Sequence, residues 1–224
     1  MQQPQLDQFA SVYSQNGVVT MANILPENLA NDLGAAFEEL DWVLEIKDYS
    51  QNESLEVPID QVKNRNNLVE VLYDRKHDIN LDDLFYIRLV VAAEHLTFEP
   101  FKQVMDFLNS DGFIESCKSI TGALDITHAW IEATCYDKGC FLGNHRDDHH
   151  PGNRVALVLN MAREWKLDWG GLLLIENRPD NPPIILPPLW NSLTLVRVPV
   201  NHTVSGVTQA ATEHRYSLTG WLRP

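Results

Sequence analysis

The chain has 224 residues, which is long enough for one domain with a full hydrophobic core. Its hydrophobic content of 44% and charged content of 21% are typical of a globular protein. The net charge of −14 argues against a nucleic-acid-binding surface and against binding to an anionic membrane.

The acidic charge is concentrated in the first half of the chain. Residues 1–112 carry 20 acidic and 7 basic side chains, a net of −13, whereas residues 113–224 carry 11 and 10, a net of −1. A solvated acidic face explains this bias, and attraction of a basic protein substrate is the alternative.

Cysteine usage and the N-terminal sequence indicate a cytoplasmic protein. Cys117, Cys135 and Cys140 are odd in number and lack a zinc-binding spacing, so they are expected to be reduced thiols. The first residues resemble no signal peptide, and no run approaches the ~20 apolar residues that span a bilayer.

The first 125 residues are expected to form a mixed, largely helical support region. The predicted elements are a polar lead-in over 1–16, a strand over 17–25, a helix from Pro26, a strand over 42–46 and a loop over 47–68. The helix carries one apolar stripe, formed by Leu29, Leu33, Phe37 and Leu40.

The middle of the chain is less decided by its pattern. Residues 84–93 are compatible with a strand or with a buried helix, because periodicity does not separate the two. A helix opens at Glu99-Pro100, and Asp111 is expected to cap a further helix that ends near Gly122. We expect these helices to pack as a shelf against the outside of a β-sheet.

From residue 126 the apolar pattern changes to a period of two, which predicts strands. The predicted strands are 126–136, 154–162, 171–176, 192–198, 202–207 and 215–222, with loops at 148–153 and 178–188. The predicted fold class is α+β: a double-stranded β-helix (jelly roll) core over 126–224, flanked by N-terminal helices over 1–125. The whole chain, 1–224, is expected to be one domain.

His145 and Asp147 form a His-x-Asp pair, and His202 follows on a later predicted strand. In an extended backbone, residues two apart point to the same side, so the imidazole and the carboxylate would lie together. Two histidines and one carboxylate on one face of a metal leave open positions and suit non-haem Fe(II). We therefore predict His145, Asp147 and His202 as the metal ligands and catalytic centre.

Arg215, Ser217 and Trp221 share one face of the last predicted strand. An Arg in an apolar barrel requires an anion, because an unpaired buried guanidinium is costly. Arg215 with Ser217 would hold the far carboxylate of a dicarboxylic acid. Trp221 is expected either to floor the substrate pocket or to belong to the core.

Together these motifs resemble the 2-oxoglutarate- and Fe(II)-dependent oxygenases. Within that superfamily, three segments are similar to the prolyl-hydroxylase-like branch: Cys135-Tyr136 with Gly143-Asn144-His145-Arg146-Asp147, Gly170-Gly171-Leu172-Leu173, and Arg215 to Trp221. The resemblance covers about residues 126–224.

The resemblance implies Fe(II) as cofactor, 2-oxoglutarate and O2 as co-substrates, and possible use of ascorbate as a reductant. It implies hydroxylation of an unactivated C–H bond, first of a prolyl residue in a protein or peptide and next of a small molecule. It places Tyr136 at the co-substrate, although a core position suits Tyr136 equally. Relatives carry a tyrosine near position 160 that contacts 2-oxoglutarate, and Asn160 is the co-substrate candidate at this position. Asp147 occupies the position that a related halogenase would leave open for chloride, which favours oxygenation.

Other polar residues are expected to lie outside the metal centre. Asp148, His149 and His150 are assigned to a surface loop, Arg146 to the rim and His214 to a structural role. His77, His95 and His128 show no metal spacing. Val204 is expected to line the pocket, and Glu132 is an unexpected carboxylate on the inward face of its strand.

Two alternatives remain open at this stage. One is a non-catalytic interaction module that binds metal and 2-oxoglutarate in the same pocket. The other is a cupin-like metal enzyme without 2-oxoglutarate, which would leave Arg215 and Ser217 without a role.

Overall fold

The structure is a computed structural model, and it describes residues 3–50, 53–62, 80, 83–176 and 182–224. Within these ranges the α-helices are α1 Gln3–Asn16, α2 Glu27–Ala36, α3 Phe101–Leu108 and α4 Asp111–Thr121. Short 3-10 helices span Phe37–Glu39, Ile59–Gln61, Ala93–His95 and Leu167–Trp169. Every helix in the described ranges is too short or too polar to traverse a membrane.

Twelve strands in the described ranges form one curled antiparallel sheet. They are β1 Val18–Ala22, β2 Val43–Asp48, β3 Leu55–Pro58, β4 Leu84–Val91, β5 His128–Tyr136, β6 Phe141–His145, β7 Val155–Asn160, β8 Leu173–Glu176, β9 Ile184–Leu186, β10 Ser192–Arg197, β11 Asn201–Val204 and β12 Arg215–Arg223. Their order is β1-β10-β7-β12-β5-β4-β6-β11-β8-β9, and β2 pairs with β3 and β4. This curled sheet with flanking helices confirms the predicted α+β jelly-roll fold.

The two faces of β12 divide the molecule into a core side and a site side. Tyr216 on one face stacks on Phe37 with ring centroids 5.0 Å apart, and its hydroxyl donates to Glu38 Oε1 at 2.9 Å. The predicted stripe of α2 and its 3-10 extension is buried, with Leu33 and Phe37 fully so. The helices therefore cover one face of the sheet, and the opposite face is left to line an internal cavity, as the strand periodicity predicted.

The prediction of a frayed polar lead-in over 1–16 is wrong, because α1 begins at Gln3. Leu6 and Phe9 pack against the core and Tyr13 is buried at 2% exposure. These three residues follow helical spacing, but the polar residues between them obscured it. The helix owes its stability to packing against α4 and β1 rather than to its own propensity.

Two predicted loops contain strands. Residues 47–68 include the end of β2, β3 and a 3-10 turn, because Leu55–Pro58 pairs with Val43–Ile46. Residues 178–188 include β9, which pairs with β8. The remaining parts of these segments at 51–52, 63–68 and 178–181 lie outside the described residues, as does His77.

The structure resolves one open alternative, corrects one predicted helix cap and adds one strand. Residues 84–91 are a strand, because β4 finds partners in β2, β5 and β6. Ser110, not Asp111, caps α4 by accepting a hydrogen bond from Phe113 N at 3.3 Å, and Gly122 ends the helix at φ 74°. The strand β6 was not predicted from the sequence, and it carries His145 as its last residue.

Candidate functional site

His145, Asp147 and His202 form a group of side chains suited to a metal. His145 and His202 occupy paired positions on β6 and β11, and their ring centroids are 4.1 Å apart. Asp147 Oδ1 lies 3.3 Å from His145 Nε2, and Asp147 Oδ2 lies 3.3 Å from His202 Nε2. The three predicted ligands therefore meet, with all ligand atoms within 4.8 Å of one another.

The local conformation that brings Asp147 to the histidines differs from the prediction. Asp147 lies beyond the end of β6 and has a φ of 61°, in the left-handed region, so the His-x-Asp segment is not an extended strand. Asn153 Nδ2 donates to the Asp147 carbonyl at 2.8 Å and holds this turn. Tertiary contacts rather than strand alternation thus orient the carboxylate, and it still lies beside the two imidazoles as predicted.

Backbone carbonyls orient both imidazoles. His145 Nδ1 lies 2.9 Å from Gly143 O, and His202 Nδ1 lies 2.8 Å from Val200 O. A carbonyl only accepts, so each Nδ1 donates; a neutral imidazole then keeps a lone pair on Nε2, whereas a protonated one donates from Nε2 to Asp147. This arrangement is typical of histidines that bind a metal through Nε2.

Mutual interactions shift the pKa values of Asp147 and His202. Burial tends to raise the pKa of Asp147, but hydrogen bonds from His145 and His202 and their charge hold that pKa well below its usual range. Burial tends to lower the pKa of His202, and the hydrogen bond and charge of Asp147 raise it overall. The group is therefore an anion flanked by two bases, a donor set suited to a divalent cation.

A cavity of about 570 Å³ opens at these residues. Its lining includes Arg88, Glu132, Tyr136, Leu142, His145, Asp147, Leu173, His202, Val204, Arg215 and Trp221. Val204 is only 6% exposed and lines the wall as expected. The cavity combines an apolar wall with a few convergent polar groups, as ligand sites do.

Arg215 lines the same cavity and is 2% exposed. Its Nε has no hydrogen-bond partner among the described residues, and its Cζ lies 4.9 Å from the centroid of the Tyr136 ring. Burial lowers the pKa of Arg215. Gly171 makes room for the side chain, because a Cβ there would stand 3.1 Å from Arg215 Cδ. A buried guanidinium with an unpaired N–H is a site for an anion.

Of the other predicted co-substrate residues, one lines the cavity with Arg215 and two do not. Tyr136 is opposite Arg215 on β5, and burial raises its pKa to about 12. Ser217 Oγ is 2.9 Å from Thr134 Oγ1 and is fully buried. Asn160 pairs with Ser217 across β7 and β12, and its buried Oδ1 has no partner among the described residues. Tyr136 and Arg215 line the cavity, whereas Ser217 and Asn160 are not among its described lining residues.

Trp221 lines the cavity beside the loop that follows Asp147. Its ring stacks on Trp130 with centroids 5.3 Å apart and meets His149 edge-on at 5.5 Å. Its buried Nε1 has no partner among the described residues. Trp221 therefore belongs to the cavity wall, with a donor that remains to be satisfied.

A buried charged cluster on the wall was not predicted from the sequence. Arg88 Nη1 donates to Glu132 Oε1 at 2.6 Å, and Arg88 Nε donates to Glu45 Oε2 at 2.8 Å. Burial raises the pKa of Glu132 despite the opposing charge of Arg88. Two sequence features could have indicated this cluster: Glu132 is a carboxylate within an apolar strand, and Arg88 is a cation within the apolar segment 84–93.

The remaining polar residues follow the predictions. Arg146 and Asp148 form an ion pair at 3.3 Å with about half of each side chain exposed. His149 and His150 lie in the exposed loop, and His95 and His128 are exposed. His214 faces away from the cavity, as predicted, and contacts Asp137.

Comparison with known proteins agrees with this site. Residues 131–223 match the family model of the 2OG-Fe(II) oxygenase superfamily. A search of curated proteins finds no match.

Solved structures share the fold of the whole chain at low sequence identity. A Pseudomonas putida prolyl-4-hydroxylase is 16% identical with a TM-score of 0.63, covering 97% of this chain and 98% of that one. A Trichoplax adhaerens prolyl hydroxylase, solved with a hypoxia inducible factor peptide fragment, is 17% identical with a TM-score of 0.65, covering 100% and 94%. The non-heme alpha ketoglutarate dependent epimerase SnoN from nogalamycin biosynthesis is 12% identical with a TM-score of 0.60, covering 100% and 87%.

Residues 131–223 therefore match the 2OG-Fe(II) oxygenase superfamily, and the chain as a whole has a fold like that of the prolyl hydroxylases. The match and the His145–Asp147–His202 group support an oxygenase, and the matched superfamily uses Fe(II), 2-oxoglutarate and O2. The predictions of superfamily, enzyme class and cofactors are confirmed.

Proposed function

We propose that the enzyme hydroxylates a prolyl residue in a protein or peptide. His145, Asp147 and His202 would hold Fe(II), and Arg215 would bind the distal carboxylate of 2-oxoglutarate. The observation that carries this proposal is the content of one cavity: an open two-His, one-carboxylate group and a buried, unpaired guanidinium.

The residues fit the implied groups in charge and in donor type. Three protein ligands on one side of a metal leave positions for a chelating 2-oxo acid and O2. The Arg215 Nε–H has no partner among the described residues, and a bidentate carboxylate would supply one. A cupin-like enzyme without 2-oxoglutarate offers no such anion for Arg215.

When bound, Fe(II) with 2-oxoglutarate and O2 supplies the oxidation: 2-oxoglutarate becomes succinate and CO2, and one oxygen atom enters a substrate C–H bond as a hydroxyl. The chain supplies position and exclusion of water. His145 and His202 present Nε2 because their Nδ1 atoms donate to carbonyls. Leu142, Leu173 and Val204 make part of the wall apolar, which keeps the reacting centre dry.

Support for a prolyl substrate comes from Trp221 and from the structural neighbours. A flat indole in the cavity wall is a suitable surface for a pyrrolidine ring, and its unpaired Nε1–H would donate to a peptide carbonyl. Two of the similar structures are prolyl hydroxylases, and one of them was solved with a peptide.

A small polar molecule is the second candidate substrate. The Arg88–Glu132 pair lines the cavity and offers charged hydrogen-bonding groups, which a plain prolyl ring does not need. The structural similarity to the epimerase SnoN also supports a small-molecule substrate.

The experiment measures product and succinate together. The Fe(II) protein is incubated with 2-oxoglutarate, ascorbate and isotopically heavy O2, and with either a proline-containing peptide library or a small-metabolite mixture. Equal amounts of succinate and of peptides with one heavy oxygen on proline would support the proposal. A labelled small molecule would favour the second candidate, and 2-oxoglutarate binding without succinate would indicate a non-catalytic module. His202→Ala is the inactive control.

A further inference from the structure

A second group of metal-ligating side chains lies where β5 ends and β12 begins. Cys135 and Asp137 flank Tyr136, and His214 immediately precedes Arg215. Tyr136 and Arg215 are paired and face the cavity, so their neighbours fall on the opposite side of the sheet. This Cys135–Asp137–His214 group is therefore separate from the cavity that contains the His145, Asp147 and His202 side chains.

The side chains of this group converge. Asp137 Oδ1 forms a short hydrogen bond with His214 Nδ1, and Cys135 Sγ lies 3.5 Å from the same oxygen. One ligand atom from each residue lies within 4.8 Å of the other two. Tetrahedral zinc has bonds of about 2.0–2.3 Å, which corresponds to ligand atoms roughly 3.3–3.8 Å apart. Small side-chain adjustments would therefore close a site.

The backbone holds these residues in place. Cys135 is within β5 and fully buried, with Leu89 and Tyr216 paired to it on the two neighbouring strands. The Asp137 carbonyl accepts a hydrogen bond from Cys140 N at 2.9 Å, which closes a turn directly after the strand. Ligands on rigid elements make a more defined site than ligands on free loops.

We propose that Cys135, Asp137 and His214 form a zinc site distinct from the proposed iron site. A thiolate, an imidazole and a carboxylate together suit Zn²⁺, whereas Mg²⁺ and Ca²⁺ take oxygen ligands. The His214 side chain is 39% exposed, which leaves a solvent-facing side for a fourth, water ligand. The cysteines have no zinc spacing in sequence because two of the three ligands are not cysteines and His214 is 77 residues from Asp137.

A zinc ion at this position would lie on the other side of the sheet from the cavity. The zinc would join the end of β5 to the start of β12, one residue from both Tyr136 and Arg215. The zinc site rests on its own geometry and does not depend on the proposed substrate.

Cobalt substitution tests the zinc site, because a sulfur-to-cobalt charge-transfer band in the near ultraviolet requires a thiolate ligand. The proposed iron ligands contain no sulfur, so Co²⁺ bound there gives no such band. The full chain is titrated with Co²⁺ as wild type and as the His145→Ala/His202→Ala double variant. We expect the band in both proteins, and added Zn²⁺ should abolish it.

Matched variants locate the ligand. Cys135→Ser should abolish the band, whereas Cys117→Ser, at another buried cysteine, should retain it. His214→Ala should weaken Co²⁺ binding by at least about tenfold, since even loss of a partner outside the ligand sphere costs 10–100-fold. His128→Ala, at an exposed histidine, should not weaken binding. A wild-type protein without the band, or a band that survives Cys135→Ser, would overturn the zinc site and leave an Asp137–His214 hydrogen bond only. If Cys135→Ser does not fold, the His214→Ala and His128→Ala pair decides the question.

Discussion

Arg215 and Tyr136 occupy paired positions on β12 and β5, and the guanidinium carbon lies 4.9 Å from the tyrosine ring centroid. The aromatic face supports the positive charge but leaves the Arg215 Nε–H without an acceptor among the described residues. Burial lowers the pKa of Arg215, so the charged form is poorly compensated. A bound carboxylate would relieve both conditions, and Arg215 is thus the residue whose removal is most informative.

Arg215→Ala should cost roughly 2–5 kcal/mol in 2-oxoglutarate binding, because the anion is left unpaired in the pocket. This corresponds to an affinity loss on the order of thirty- to several-thousand-fold. Arg215→Lys should recover only part, since a point charge replaces a planar fork. An anaerobic titration of the Fe(II) protein, followed by the visible absorption of the chelate, measures the affinity. Arg163→Ala, at an exposed Arg, is the control; equal affinity in wild type and Arg215→Ala would contradict the assignment.

His145→Ala and His202→Ala should each abolish Fe(II) binding and turnover without unfolding the protein. Both residues offer Nε2 to the proposed site, whereas the main hydrophobic core is built from other side chains. Iron content, succinate formation and the thermal melt are measured together. His128→Ala is the matched histidine control. A variant at 145 or 202 with normal iron content would refute the ligand set.

Metal affinity should fall as the pH decreases through the raised pKa of His202. The Asp147 carboxylate favours protonated His202 in the metal-free protein, so proton and metal compete for Nε2. The stability of the metal-free protein should instead increase as the pH decreases. Its His202 contribution is fully present below the unfolded pKa of about 6.5 and is lost as the pH rises through the folded pKa. Thermal melts with and without Mn²⁺ across this pH range test both trends. His202→Ala should weaken the pH dependence in both conditions. Wild-type melting temperatures that change with pH in the same way with and without Mn²⁺ would contradict this role of His202.

Arg88→Met should destabilise the fold by roughly 3–5 kcal/mol, because Glu45 and Glu132 lose their shared cation while remaining largely buried. The deficit should shrink as the pH falls, since protonation removes the uncompensated charges and the pKa of Glu132 is already raised by burial. Denaturant unfolding at several pH values measures it.

Adding Glu132→Gln to Arg88→Met should restore part of the stability, because one uncompensated charge is removed. The control is Arg154→Met, which breaks an exposed pair with Asp125 at 2.8 Å and should cost at most about 1 kcal/mol. Equal losses of unfolding free energy in Arg88→Met and Arg154→Met would mean that the buried pair stabilises the fold no more than the exposed one.

Sequence periodicity correctly predicted the elements whose role depends on local spacing. Alternation along β12 separates Arg215 and Trp221 from Tyr216, and the structure places Tyr216 against Phe37 on the opposite face. The stripe of α2 follows from helical spacing alone. The chain order of His145, Asp147, His202 and Arg215 was enough to indicate the superfamily, because its chemistry requires those donor types.

Tertiary structure decided the features that depend on distant partners. Arg88 and Glu132 are 44 residues apart and meet only because β4 pairs with β5, which sequence spacing does not encode. The left-handed turn at Asp147 depends on Asn153, and the helix over 3–16 depends on burial of Tyr13. Local sequence sets which face of an element is apolar or polar, whereas the register between elements sets which polar groups meet, and the free energy of those meetings exists only in the folded chain.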